Sequence, residues 1–110
     1  MAINTAALTA GAQGIADTYP YLSLHNGSGE TSAPRQAANW TVSGGALTAT
    51  NVAFTGGAAS GAVAEVHLWT AQTSGNSGGG YAFSAPEDDT SFNAAGEYTV
   101  DSLTLTGGTP

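Results

Sequence analysis

The sequence predicts an all-β fold, an antiparallel β-sandwich with one short N-terminal helix. Short runs rich in Val, Leu, Phe, Tyr and Trp recur along the 110 residues and are separated by segments rich in Gly, Ser and Asn, as in small antiparallel β-domains. The strongest run is Ala62–Trp69 (AVAEVHLW), and every second residue in it is apolar: Ala62, Ala64, Val66 and Leu68. We therefore expect a central strand with one core-facing side that buries Leu68.

The N-terminal segment predicts the helix. Asn4 or Thr5 can act as its N-cap, and the helical pattern runs to about Asp17. Apolar residues recur on one side at helical spacing: Leu8, Ala12 and Ile15. Pro20 then ends the pattern, because a proline disfavours helical geometry in the residue before it.

The apolar runs of the chain predict six strands. Five of them are Tyr21–His25, Ala46–Phe54, Ala62–Trp69, Tyr81–Ser84 and about Glu97–Thr106, and the sixth begins at Trp40 and Val42. Because side chains alternate along a strand, Leu22 and Leu24 should face inward together, as should Val52 and Phe54. The run Ser43–Ala46 (SGGA) predicts a tight hairpin, since two glycines can take the positive φ values of a two-residue turn. At this length, residues 1–110 form one domain.

In the last predicted strand, the alternation of apolar residues shifts by one position partway along. Tyr98 and Val100 share one parity, whereas Leu103 and Leu105 share the other. A regular strand cannot bury both pairs on one face, because its side chains alternate strictly. Either a β-bulge near Asp101–Ser102 or a strand covered on both sides would accommodate this pattern.

Four segments predict loops. Asn26–Pro34 is polar, has little to bury and is expected to be exposed and mobile. Gly56–Gly61 and Gln72–Gly80 are glycine-rich, and Glu87–Asp89 forms an acidic loop before the last strand.

The apolar content predicts a thin core. Alanine makes up about half of the hydrophobic residues, and Val, Ile, Leu and Phe together account for only 17 of 110 residues. A fraction this low combined with a large net charge is usual in disordered chains, but only 8% of residues are charged and the apolar ones are grouped. We expect a folded domain whose thin core is completed by an oligomer or by another surface.

The charge excludes two classes of partner. One arginine, Arg35, and no lysine stand against eight acids, which gives a net charge of −7. Nucleic acids and anionic membranes are both recognised through Lys and Arg, so neither is an expected partner. The chain has no cysteine, no signal-peptide pattern and no apolar run of membrane-spanning length, which predicts a soluble protein made in a cytoplasm.

No catalytic or cofactor motif is present, so we expect neither an enzyme nor a bound cofactor. The glycine-rich segment lacks the lysine of a phosphate-binding loop, and no G-x-S-x-G elbow occurs, although the composition leaves a Ser-His-Asp arrangement open. His25, His67 and a nearby acid would be an unusual zinc set. Glu87–Asp89 offers oxygen ligands for calcium but is more typical of a solvated loop.

Arg35, Trp40 and Trp69 are the remaining residues of interest. As the sole base among eight acids, Arg35 should lie near a carboxylate in a bidentate pair, and we favour a structural salt bridge. Trp40 and Trp69 are either part of the core or a stacking platform for sugars. We favour the core, and burial of both would count against sugar binding.

The order of four segments carries a resemblance: Tyr21–His25 (YLSLH), Arg35–Trp40 (RQAANW), Val66–Trp69 (VHLW) and Gly80–Pro86 (GYAFSAP). Together, from about Leu8 to Leu105, they resemble a family of small virion proteins, mostly from phages of actinobacteria. Members are usually described as tail-fibre-like, minor tail or head decoration proteins. The resemblance implies a structural virion component without catalysis.

These observations predict a capsid decoration or minor capsid protein that reinforces the head shell. Its partners would be the major capsid protein or other virion proteins, with a homo-oligomer as a further option, and it would reside in the virion after synthesis in the host cytoplasm. A tail or tail-fibre component is one alternative. A host- or glycan-binding module that uses exposed aromatic residues is another.

Overall fold

The computed structural model describes residues 5–73, 81–84 and 90–106. Over these ranges the chain forms one helix and eight strands: α1 (Thr5–Thr18), β1 (Tyr21–Asn26), β2 (Gly29–Glu30), β3 (Gln36–Ala37), β4 (Thr41–Ser43), β5 (Ala46–Phe54), β6 (Glu65–Trp69), β7 (Tyr81–Ser84) and β8 (Tyr98–Thr106). All strand pairs are antiparallel. The strands form two sheets that pack together, with the helix at the N-terminus, so the predicted fold class is confirmed.

The two sheets divide the strands unequally. In sheet A the order is β2-β1-β6-β7, and β3 also pairs with β1. Because β6 occupies one edge of β1 along its length, β2 and β3 share the other edge. In sheet B the order is β4-β5-β8, so β5 is the middle strand.

The core lies between the sheets. Sheet A contributes Leu22, Leu24, Val66 and Leu68, all fully buried. Sheet B contributes a second group from β5 and β8: Ala49, Val52, Phe54, Tyr98, Val100 and Leu103. The inward positions predicted for Leu22, Leu24, Val52 and Phe54 are confirmed, and so is the burial of Leu68 on an interior strand.

The first part of the run Ala62–Trp69 departs from the prediction. The strand begins at Glu65, and Ala62 and Ala64 are exposed while Val63 is buried. Before β6 the backbone forms other contacts: Ala62 makes an isolated bridge to Ser91, and the Val63 amide donates to the Thr90 carbonyl at 2.8 Å. The chain changes phase between these contacts and β6, so period-2 alternation does not extend across the whole run.

The phase change in the last strand is accommodated in a way that the sequence did not predict. Val52 pairs with Val100 and Thr50 with Ser102, in one unbroken register along β5 and β8. A bulge would place an extra residue on one strand only, and the register shows none. Instead both strands change face at the same level, where Asn51 adopts a left-handed φ of 51°. The residues buried on either side of that level then point into the same core.

Helix α1 rests on the β4–β5 hairpin. Gly44 and Gly45 at the turn have φ values of 59° and 81°, which confirms the predicted two-residue turn. The Gly45 amide donates to Thr9 Oγ1 at 3.0 Å, and a Cβ on Gly45 would lie 2.7 Å from the Leu8 Cβ. The turn therefore needs glycine both for its backbone and for the approach of the helix.

Within the apolar side of α1, Ala12 is buried and Leu8 lies against Gly45, whereas Ile15 is 40% exposed. One further prediction needs correction. The segment Asn26–Pro34 is not a bare exposed loop: it contains β2 and buries Ala33 completely. The acidic residues Glu87–Asp89 and most of Gln72–Gly80 lie outside the described residues. Within the part of the chain that the structure describes, no helix has the length and hydrophobicity that crossing a membrane requires.

Candidate functional site

Both histidines, the arginine and Trp69 lie together at the outer face of sheet A. The core residues of β1 and β6 occupy one side of the sheet, so the alternate positions point away from the core. Antiparallel pairing places Ser23 opposite His67 and His25 opposite Glu65. We call the following set the histidine cluster: Ser23, His25, Glu30, Arg35, Glu65, His67 and Trp69.

Arg35 closes one side of the cluster. Its side chain is completely buried, and its Nε and Nη2 donate to the two carboxylate oxygens of Glu30, both at 3.0 Å. The carboxylate expected near Arg35 is therefore Glu30, in bidentate geometry. Nη1 donates to the Ala71 carbonyl at 3.0 Å, and the guanidinium lies 3.8 Å from the ring centroid of Trp69, within cation–π range. Because Arg35 is the only Arg or Lys in the chain, neither residue type presents a cation to solvent.

The two histidines of the chain are stacked face to face. The rings of His25 and His67 have centroids 3.6 Å apart and an interplanar angle of 16°. Trp69 lies on the same face, with its ring 6.3 Å from that of His25. His67 Nε2 lies 3.1 Å from Glu65 Oε2, near the solvent-exposed side of the cluster. The sequence did not reveal this contact, because it depends on the register of β1 against β6.

Electrostatics favour a neutral His25. Burial lowers the pKa of His25, and the neighbouring His67 and Arg35 lower it further. The carboxylates of Glu30 and Glu65 raise the pKa of His25, but they do not reverse the net direction. Desolvation therefore outweighs the nearby negative charge.

The hydrogen bonds of Ser23 agree with a neutral His25. The indole Nε1–H of Trp69 donates to Ser23 Oγ, and Ser23 Oγ lies 2.7 Å from His25 Nε2. In the neutral tautomer that carries its proton on Nδ1, the serine hydroxyl donates to the unprotonated Nε2. Ser23 is fully buried, so its oxygen is not placed to attack a substrate even though it contacts a histidine.

The cluster does not assemble a metal site. Among the described residues, no group of three or more His, Asp or Glu side chains is arranged to hold a metal ion. Stacked imidazoles direct their nitrogens along parallel planes and not toward a common point. His25 and His67, which the sequence offered as zinc ligands, are therefore in contact, but their nitrogens do not converge on one point as a zinc ion requires.

The four residues singled out from the sequence occupy three environments. Arg35 and Trp69 are in contact in the histidine cluster, whereas Leu68 faces the core on the opposite side of β6. Trp40 packs against the core and donates its Nε1–H to the Tyr19 carbonyl at 2.9 Å. Both tryptophans are half-buried, and in each the indole N–H is engaged within the chain. Burial of both Trp40 and Trp69 would have counted against sugar binding, and half-burial meets that condition only in part.

The fold is a small antiparallel β-sandwich. The side chains of its histidine cluster make their hydrogen bonds and ring contacts with one another and with backbone groups of the same chain. Comparison with known proteins adds no relative: the chain matches no family model, no curated protein and no solved structure.

Proposed function

We propose that the protein is a structural component of a bacteriophage virion, a decoration or minor capsid protein that binds the head shell and reinforces it. The observation that carries this proposal is the use of the histidine cluster for internal contacts, with the only arginine neutralised and buried. Among the residues whose exposure the structure describes, the surface carries four exposed carboxylates and many small polar side chains, which suits binding better than catalysis; the carboxylates are those of Asp17, Glu65, Glu97 and Asp101. The resemblance of four segments to small virion proteins supplies the virion context.

The outer face of sheet B is the docking surface in this proposal. It presents short hydroxyl side chains that are exposed or half-buried: Thr48, Thr50, Ser102 and Thr104. The Oγ1 atoms of Thr48 and Thr104 lie 3.2 Å apart across the two strands. Such a face is rich in donors and acceptors, so it can form many hydrogen bonds with a complementary surface. The outer face of sheet A, in contrast, is partly covered by Arg35 and its segment.

Charge complementarity supports a basic surface on the shell as the partner in this proposal. The exposed ends of β5 and β8 border an open depression of about 280 Å³ lined in part by Asn93, Glu97 and Asp101. With a net charge of −7 and no exposed Arg or Lys, the chain repels a second copy of itself and attracts a basic protein. This favours the shell over a homo-oligomer as the first partner.

The thin core gives the same proposal an energetic basis. Folding entropy nearly cancels the gain from burial in a small domain. Binding to the shell stabilises the folded state by mass action, because the unfolded chain lacks the docking surface. We therefore expect the isolated chain to unfold at a lower temperature than the chain on particles.

Two alternatives from the sequence stay open as proposals. A tail or tail-fibre role would place the same docking surface on a tail protein. A glycan-binding role would use the exposed part of Trp40 or Trp69, which their half-burial leaves available. Engagement of both indole N–H groups within the chain makes the glycan-binding role the weaker of the two.

We predict that Thr50→Arg abolishes rebinding to purified particles that have been stripped of this protein. The substitution places a bulky cation at the centre of the docking surface, where it opposes both the fit and the attraction to a basic partner. Ala64→Arg is the matched control, because Ala64 is also exposed but precedes β6 in the other sheet. Binding would be measured by co-sedimentation, with circular dichroism to establish that both variants fold.

The wild-type chain and Ala64→Arg should co-sediment with particles, and Thr50→Arg should stay in the supernatant. Equal co-sedimentation of the two variants would reject the docking surface. Failure of the wild-type chain to bind any particle would reject the proposed function itself.

A further inference from the structure

We propose that the His25–His67 stack is an acid-sensitive latch, which holds residues 27–37 closed against sheet A while His25 is neutral and releases them when His25 takes up a proton. We call residues 27–37 the strap. This inference concerns the fold itself and does not rest on the virion assignment.

The strap is held mainly by side chains. Its strands β2 and β3 contain only two residues each, so they form few ladder hydrogen bonds with β1. Glu30 and Arg35 both belong to the strap. Arg35 binds the strap to the rest of the domain, because it donates to the Ala71 carbonyl and packs on the ring of Trp69. The Thr31 amide adds one backbone bond to the Leu24 carbonyl at 2.9 Å. Opening the strap therefore requires three separations: Arg35 leaves Trp69 and Ala71, Ser32 Oγ loses its 2.8 Å bond to the Gly56 carbonyl, and Ala33 leaves the core.

His25 is the cross-strand partner of Glu30 in β2, so it lies next to the strap. The charged and titratable groups that act on it come from two neighbouring elements: Glu30 and Arg35 on the strap, and Glu65 and His67 on β6. With the strap closed, a proton on His25 Nε2 reverses the hydrogen bond with Ser23, whose oxygen already accepts from Trp69. The proton also places a positive charge against the stacked ring of His67, 3.6 Å away, and close to the buried guanidinium.

Opening removes these penalties. When the strap leaves, water reaches His25, and its pKa returns toward the ordinary value of about 6.5. The closed state has the lower pKa, so between the two pKa values the open state binds more protons. Acid consequently shifts the equilibrium toward the open state, by at most about tenfold per pH unit for one proton. At pH values above both pKa values, neither state binds the proton and the latch stays closed.

Opening has a structural consequence for β1. The edge of β1 that pairs with β2 and β3 becomes free when the strap leaves. A free edge with unpaired backbone groups is able to accept an extended segment from another chain. The latch would therefore couple acidification to the exposure of a strand edge.

Native-state hydrogen exchange on the full chain tests the latch. The amide of Thr31 reports on the strap, and the amide of Phe92, which donates to the Gly61 carbonyl at 2.8 Å, reports on the segment before β8, which is not part of the strap. Protection factors, corrected for intrinsic exchange rates, would be measured by NMR at pH 7.5 and pH 5.5. We expect the protection of Thr31 to fall up to about tenfold and that of Phe92 to stay within twofold.

A substitution separates the latch from a general acid effect. In His25→Gln the Thr31 protection should become independent of pH over this range, because the group that takes up the proton is gone. A persistent fall of Thr31 protection in this variant would overturn the assignment to His25. In the unsubstituted protein, an unchanged Thr31 or a parallel fall of both amides would overturn the latch, whatever the behaviour of the variant.

Discussion

Leu68→Ala is expected to lower the free energy of unfolding by about 2–5 kcal/mol, the usual range for removing a large side chain from a core. Leu68 is fully buried, and it lies on β6, an interior strand of sheet A. The core contains few large residues, so little neighbouring side chain is available to fill the cavity. Urea unfolding at neutral pH would give the midpoint and slope for the variant and the parent chain.

Ile15→Ala is the matched control for this prediction. It removes a similar aliphatic side chain from a site that is 40% exposed, and alanine is the better helix former. We expect its effect to stay below about 1 kcal/mol, as is usual for surface substitutions. Equal losses of stability in the two variants would show that β6 does not carry the core.

Glu30→Ala is the second large effect, with an expected cost of about 3–5 kcal/mol. The substitution leaves the completely buried guanidinium of Arg35 without its bidentate carboxylate. The loss of stability comes from leaving the Arg35 charge buried without a counter-charge. It is larger than the net stability that the intact Glu30–Arg35 pair contributes. The same urea titrations would measure it.

Glu65→Ala provides the comparison. Its carboxylate pairs with His67 at 3.1 Å but is 49% exposed, so solvent screens the interaction and the expected cost is about 0–1 kcal/mol. Combining Glu30→Ala with Arg35→Met should recover part of the lost stability, because no charge is then left buried. Similar costs for Glu30→Ala and Glu65→Ala, or no recovery in the double variant, would contradict the role assigned to Arg35.

Local chemistry made several parts of the fold predictable. The Gly44–Gly45 turn follows from the two residues that must adopt positive φ, and the alternation of Leu22 and Leu24 fixes the inner face of β1. The carboxylate beside Arg35 could be expected because a lone base in an acidic chain, if buried, requires an anion. Each of these inferences needs only neighbouring residues or total charge.

Other features depend on contacts between distant residues. Ala62 and Ala64 fit a strand pattern, but Ala62 and Val63 bond to residues 90 and 91 and not to a strand of sheet A, so β6 begins only at Glu65. The short strands β2 and β3 carry too few apolar residues to be recognised, and they are held by pairing with β1, by the burial of Ala33 between them and by the side chain of Arg35. The His25–His67 stack depends on the register of β1 and β6, which places Leu24 opposite Val66. A one-residue slip in that register would separate the rings.

The change of face at Asn51 in β5 and at Asp101 in β8 also depends on contacts between distant residues, so the sequence predicted only part of it. The residues of β8 indicate that the strand must change face, but not that β5 changes face at the same level. Asn51 is one of the residue types that tolerate a left-handed backbone. Nothing in its neighbours identifies it as the residue that takes this conformation.

Immunogold labelling of purified phage particles, viewed by electron microscopy, tests the central claim most directly. An antibody against the chain should label the head, with the label distributed over the shell as expected for a protein bound to repeated capsid sites. Label confined to the tail would instead support the tail component. Absence of label from intact particles that contain all other virion proteins would contradict the structural role.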